Sequence, residues 1–170
     1  RQRQMCIRDR YVLMTYYNIL SAYGEELFLD KCDEAGVYGL IIPDLPYELT
    51  KKFKKEFYHH SVKIISLIAM TASDDRIMQI AKNSEGFIYT VTMNATTGNS
   101  GEFHPDLKRK IEYIKKVSKI PVVAGFGIKN PEHVKDIASV ADGIVIGSEI
   151  VKRIETVSYT HLRAHETRHD

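Results

Sequence analysis

From Tyr11 to Glu155 short, near-continuously apolar runs alternate with longer amphipathic stretches, and the alternation recurs about every 22–34 residues. Strands that are apolar on both faces belong to parallel sheets covered by helices, because an antiparallel sheet with one wet face would alternate polar and apolar residues. The runs predict strands over Val12–Tyr16, Gly39–Pro43, Lys63–Ala69, Gly86–Thr92, Pro121–Ala124 and Gly143–Ile146. Between them the helical period predicts helices over Gly24–Ala35, Tyr47–Tyr58, Ser73–Lys82, Pro105–Ser118 and Pro131–Val140. Their expected buried positions include Leu27, Phe28, Cys32 and Ala35 in the first helix and Leu49, Phe53 and Phe57 in the second. Ser73, followed by Asp74 and Asp75, has the composition of an N-cap with acidic residues against the helix dipole.

A row of βα units can fold as an open doubly wound sheet or as a barrel. The chain has 170 residues, against the ~250 of a complete eight-unit barrel. It opens almost directly on a strand, so the barrel reading expects a barrel whose front has been cut off, about two units short of eight. No apolar run approaches the ~18 residues of a membrane span, and no signal-peptide pattern opens the chain.

The two ends read differently from the middle. Residues 1–10 carry Arg1, Arg3, Arg8 and Arg10 against Asp9, a local charge of +3, and show no period of either kind. Residues 156–170 are poor in apolar side chains and hold His161, His165 and His169, a spacing that would align them on one helix face and could also ligate a metal. The expected organisation is therefore a non-native-looking tail over 1–10, a truncated barrel domain over 11–155 and a second such tail over 156–170. Because the first tail's +3 exceeds the chain's net +2 and the second tail balances, the central segment is slightly acidic and nothing in it asks for nucleic acid. Cys6 and Cys32 make no disulfide framework, which fits a reducing cytoplasm.

Active groups of parallel α/β folds sit at the C-terminal ends of strands. The last two strand ends are Gly125-Phe-Gly127-Ile and Gly147-Ser148, each leading into a helix start, so bare backbone N–H groups and positive dipole ends are expected to face one anion. A phosphorylated small molecule is the ligand this suggests. Asp44 is the lone carboxylate at a strand end, read either as a turn or cap residue or as a chemical group. Tyr89 faces inward if the parity of Phe87 and Val91 holds, lining a pocket or filling the core. The polar, glycine-containing segment 93–104 is long for a βα connection, as a substrate lid or a plain loop would be.

The run Val-Leu-Met-Thr-Tyr-Tyr-Asn at 12–18, Gly-Leu-Ile-Ile-Pro-Asp-Leu-Pro at 39–46, Tyr89, Thr97-Gly98, Gly-Phe-Gly-Ile at 125–128 and Gly-Ile-Val-Ile-Gly-Ser at 143–148 resembles the tryptophan synthase alpha subunit family. The resemblance covers residues 11–155 and implies a partial (β/α)8 TIM barrel lacking the first two βα units and the last helix. It implies a lyase of tryptophan biosynthesis, a TIM barrel that cleaves indole-3-glycerol phosphate to indole and glyceraldehyde 3-phosphate without a cofactor. It also implies a beta-subunit partner in an α2β2 complex, and no nucleic acid or membrane partner. Residue by residue it assigns phosphate binding to Gly98, Gly127, Gly147 and Ser148, and supporting roles to Tyr89 and the lid residue Thr97. The indole pocket falls to Met14, Tyr16 and Phe126, and a place near the beta-subunit contact to Asp44. The family's catalytic glutamate and aspartate match no residue of this sequence, so the chain itself is expected to be inactive. The alternatives are another phosphate-binding TIM-barrel isomerase and a non-catalytic, partner-binding fragment.

Overall fold

A computed structural model describes residues 10–92, 106–125 and 131–156. Six strands, β1 (Tyr11–Met14), β2 (Val37–Ile41), β3 (Lys63–Ala69), β4 (Ile88–Val91), β5 (Val122–Gly125) and β6 (Gly143–Ile144), lie in one sheet in the order of the chain. Every neighbouring pair is parallel. A doubly wound sheet would reverse its strand order at a switch point. Here there is none, and the six strands form a curled half-barrel.

The helices are α1 (Tyr17–Tyr23), α2 (Glu25–Glu34), α3 (Tyr47–Glu56), α4 (Asp74–Lys82), α5 (Leu107–Val117) and α6 (Pro131–Ala138). A further helix, α7, occupies 148–156. Strand parity separates two layers. Leu40, Ile42 and Ile64 point outward and pack with Leu20, Leu29, Cys32 and Phe53 of the helices. Further round the sheet Ile68, Ile88, Val122 and Ala124 pack with Ile77, Ile80, Ile111, Ile114 and Ile137. The opposite parity gives a layer without helix residues, in which Ile41, Ile65 and Tyr89 are buried against Val12, Leu67, Val91 and Phe87, the residue just before β4. That layer is the barrel interior, and it places Tyr89 inward as its parity requires.

Strand entries are tied down by acids that precede the next strand. Glu85, ahead of β4, accepts the Ile64 N–H of β3 at 2.8 Å, and Asp142, ahead of β6, accepts the Val122 N–H of β5 at 2.9 Å. Asp142 also meets the Lys115 ammonium at 2.7 Å, and that pairing with the Val122 N–H holds its carboxyl below the usual range. Ser73 caps α4 as its sequence suggests, its hydroxyl accepting the Arg76 N–H at 3.3 Å.

The structure corrects several sequence expectations. Residues after Met14 do not continue the strand, although the Thr15 N–H still bonds the Ile41 carbonyl at 3.0 Å. Instead Tyr17–Tyr23 turn into α1, which the tyrosine-rich composition concealed. Gly24, at φ 94°, separates α1 from α2 in a conformation that side-chain-bearing residues avoid. α2 is phased so that Leu29 and Cys32 are buried, while Leu27 and Ala35 are exposed. Leu49 of α3 is exposed as well, and Phe53 alone of that helix is buried. β6 is only two residues long, shorter than expected.

Candidate functional site

The C-terminal ends of the strands converge at one end of the half-barrel. β4 contributes Tyr89, whose side chain is 3% exposed and whose phenol is pushed up in pKa by burial, so it stays a neutral donor at physiological pH. Its ring lies across the backbone of Gly125 at the end of β5. A Cβ built on residue 125 would come within 2.7 Å of the Tyr89 Cζ and closer still to its oxygen. Thr92, at the end of β4, is fully buried and donates its hydroxyl to the Gly125 carbonyl at 2.9 Å. These contacts join the ends of β4 and β5.

Beyond β6 the chain reaches Gly147 and turns into α7. The Gly147 carbonyl accepts the N–H groups of Ile150 at 2.9 Å and Val151 at 3.1 Å, which makes Gly147 the N-cap and Ser148 the first helical residue. By helix geometry the N–H groups of Ser148 and Glu149 have no intrahelical acceptor, and they carry the positive end of the dipole. A Cβ at Gly147 would meet no atom within 4 Å, so there is open space beside this helix start. Bare backbone with room beside it is what an anionic ligand needs to approach the amides.

Asp44 follows β2 and is exposed. Its Oδ1 accepts the Tyr17 N–H at 2.9 Å, the first amide of α1. The carboxylate therefore caps a helix from a neighbouring loop, which sets its position without any proton chemistry. Met14 ends β1, the edge strand, and Tyr16 stands just before α1; they are 49% and 59% exposed. Thr97, Gly98, Phe126 and Gly127 lie outside the described residues. The structure thus brings Tyr89 and Gly125 into direct contact and sets Gly147 and Ser148 at a helix start. Sequence reasoning offered Asp44 as a turn or cap residue but missed which helix it caps, because α1 itself was missed and no local signal ties residue 44 to residue 17. It also missed Gly125 as the partner of Tyr89, although Gly125 stands in the motif that ends β5.

Among the described residues, Asp44 is the one carboxylate that closely follows a strand at this end, and its hydrogen bond is to backbone. An acid–base pair for proton transfer would need a second titratable group within hydrogen-bond reach of the reacting atoms.

A family model described as tryptophan synthase alpha chain matches residues 4–169. The tryptophan synthase alpha chain of Staphylococcus epidermidis (strain ATCC 12228 / FDA PCI 1200) is 97% identical over 149 residues, which are 88% of this chain and 61% of that protein. The alpha chain of Staphylococcus aureus (strain Newman) is 66% identical over 150 residues, covering 88% of this chain and 62% of the relative. Among solved structures, the tryptophan synthase alpha subunit of Campylobacter jejuni aligns with a TM-score of 0.74 at 30% identity, over 87% of this chain and 60% of that one. A structure of the tryptophan synthase a2b2 complex from Pyrococcus furiosus aligns with a TM-score of 0.75 at 32% identity, over 86% and 60%. The chain spans about 61% of the length of the curated relatives it matches.

Proposed function

The chain belongs to the tryptophan synthase alpha chain family, and from that premise we propose that the whole protein cleaves indole-3-glycerol phosphate to indole and glyceraldehyde 3-phosphate. The reaction is a retro-aldol cleavage. It needs a proton delivered to indole C3, a proton removed from the glycerol hydroxyl, and stabilisation of positive charge developing at the ring nitrogen. No cofactor is required.

The observation that carries this reading is the start of α7. Its free-ended amides at Ser148 and Glu149, beside the open space at Gly147, suit the substrate's phosphate. Such an interaction contributes about 0.3–1 kcal/mol per charge at exposed helix ends and up to ~2 kcal/mol in partly buried ones. Gly127 and Gly98 complete this cradle in the proposal, and Thr97 belongs to the segment that closes over it. In this reading Tyr89, buried in the barrel interior, borders the reacting end of the ligand, with Met14, Tyr16 and Phe126 lining the indole side.

Asp44 is assigned to ordering the β2–α3 loop and α1, next to the surface offered to a beta subunit. Partnership with that subunit is part of the proposal, supported by the kinship with the P. furiosus a2b2 complex. The 170-residue chain lacks candidates for the two reacting carboxylates among its described strand ends, so by itself it is assigned little or no turnover. Indole release from indole-3-glycerol phosphate tests both halves. The whole protein should release indole, and the 170-residue chain should do so at least a hundredfold more slowly. Equal rates would sink the assignment of chemistry to groups this chain does not hold, and no release by the whole protein would sink the reaction itself.

A further inference from the structure

At the opposite end of the half-barrel, α2 and the turn from α3 into β3 bring two imidazoles and a carboxylate to one point. Glu26 and Asp33 are seven residues apart on α2, about two helical turns, and so share a face. His59 and His60 precede β3 in the connecting turn. Oε1 of Glu26 lies 2.8 Å from Nε2 of His59 and 3.3 Å from Nε2 of His60. All three of these atoms fall within 4.8 Å of one another. The His60 side chain is 4% exposed, whereas His59 and Glu26 are 48% and 57% exposed, leaving one side open to solvent.

The buried imidazole is held by its other nitrogen. Nδ1 of His60 meets Oδ2 of Asp33 at 2.7 Å. The second Asp33 oxygen accepts the Ser61 N–H at 3.1 Å and the Ser61 hydroxyl. Asp33 is therefore held through both oxygens and fixes the His60 ring by Nδ1, leaving Nε2 aimed at Glu26. Without an ion that nitrogen carries a proton toward Glu26, since burial lowers the His60 pKa but the hydrogen bonds to Asp33 and Glu26 outweigh it and raise the pKa; a metal ion would take that proton's place.

We propose that Glu26, His59 and His60 form a binding site for a divalent transition-metal ion of the zinc class, remote from the strand C-termini. Ligand atoms held about 2.1 Å from a tetrahedral ion stand about 3.4 Å apart; the 3.3 Å between Glu26 and His60 already fits, and the 2.8 Å between Glu26 and the exposed His59 would open to admit the ion. Two imidazoles and one carboxylate supply three ligands, and solvent on the open side supplies the fourth. The Asp33–His60 pair is the outer-shell arrangement that fixes ring orientation and tautomer in such sites. Nitrogen donors disfavour calcium and magnesium, while nickel and copper would compete with zinc. The bound ion would tie α2 to the entry of β3.

The test uses the 170-residue chain with His161→Ala, His165→Ala and His169→Ala in every sample, which removes the tail imidazoles as competing ligands. Zn2+ uptake is measured against a chromophoric chelator, and Co2+ is substituted to read its visible d–d bands, with circular dichroism checking each fold. One ion per chain and the bands of four-coordinate cobalt are expected. His59→Ala and Glu26→Gln, both at exposed positions, should each abolish the cobalt bands, and Asp33→Asn should weaken Zn2+ binding about 10–100-fold. The proposal is overturned if the parent chain takes up no ion. It is equally overturned if a folded His59→Ala or Glu26→Gln chain binds Zn2+ as tightly as the parent, which would leave the cluster as a protonated imidazole between two acids.

Discussion

Tyr89 on β4 occupies the space that a side chain on Gly125 of β5 would need, so the interior of the barrel closes there by pairing the largest residue of one strand with the smallest of the next. Residue 125 is not among the positive-φ glycines, so its backbone tolerates alanine and the obstacle is steric. Gly125→Ala is expected to destabilise the fold by about 1–3 kcal/mol through overpacking. In a Tyr89→Phe background the same change should cost less, because the phenol oxygen is the atom nearest the added methyl. Urea denaturation of the four chains gives the coupling directly, about 0.5–3 kcal/mol for residues in contact.

The bond from the Tyr17 N–H to Asp44 predicts a local effect. Asp44→Ala should remove about 0.5–2 kcal/mol of capping from α1, visible as faster amide exchange over Tyr17–Tyr23 with little change in β4 or β5. Asp44→Asn keeps an acceptor oxygen and should leave most of the protection in place. Uniformly faster exchange across the sheet would show that Asp44 supports the barrel, not one helix.

Glu48 of α3 pairs with Arg76 of α4 through both carboxylate oxygens, one of them at 3.0 Å. That hydrogen-bonded pairing, followed by the helix backbone's own contribution, lowers the Glu48 pKa from 4.5 to about 2. A carboxyl whose folded pKa is depressed stabilises the fold fully above its unfolded pKa and loses that contribution as pH falls through the folded value. The loss therefore runs from about pH 4.5 down to about pH 2. Glu48→Gln should flatten the stability profile in that window and leave it parallel to the parent above pH 6. Glu48 is solvent-exposed and Arg76 partly so, so added salt should shrink the difference.

Much of the fold was legible because parallel strands covered on both faces are near-continuously apolar, as residues 64–69 with their one serine and Ile88–Val91 with its one threonine are. Helix caps were legible where the capping atom is local, as at Ser73. α1 was hidden because Tyr17, Asn18 and Ile19 are indifferent helix formers, and its N-terminal partner Asp44 arrives 27 residues later in the chain. Leu27 and Leu49 fit the apolar period, yet each helix has a single buried stripe, and the contacts of Leu29 and Phe53 set its phase. At the site, Tyr89 and Gly147–Ser148 could be read from strand parity and a glycine before a helix. The contact of Tyr89 with Gly125 could not, because it depends on the register between β4 and β5.

The phosphate cradle is tested most directly by titrating the 15N-labelled chain with glyceraldehyde 3-phosphate and following its amide resonances. Saturable shifts should centre on Gly147, Ser148 and Glu149, and Ser148→Pro should weaken binding while leaving α7 intact, since proline at the first helical position removes only the amide hydrogen that the helix does not use. Saturable shifts confined to residues elsewhere in the chain, or an affinity untouched by Ser148→Pro, would contradict the account.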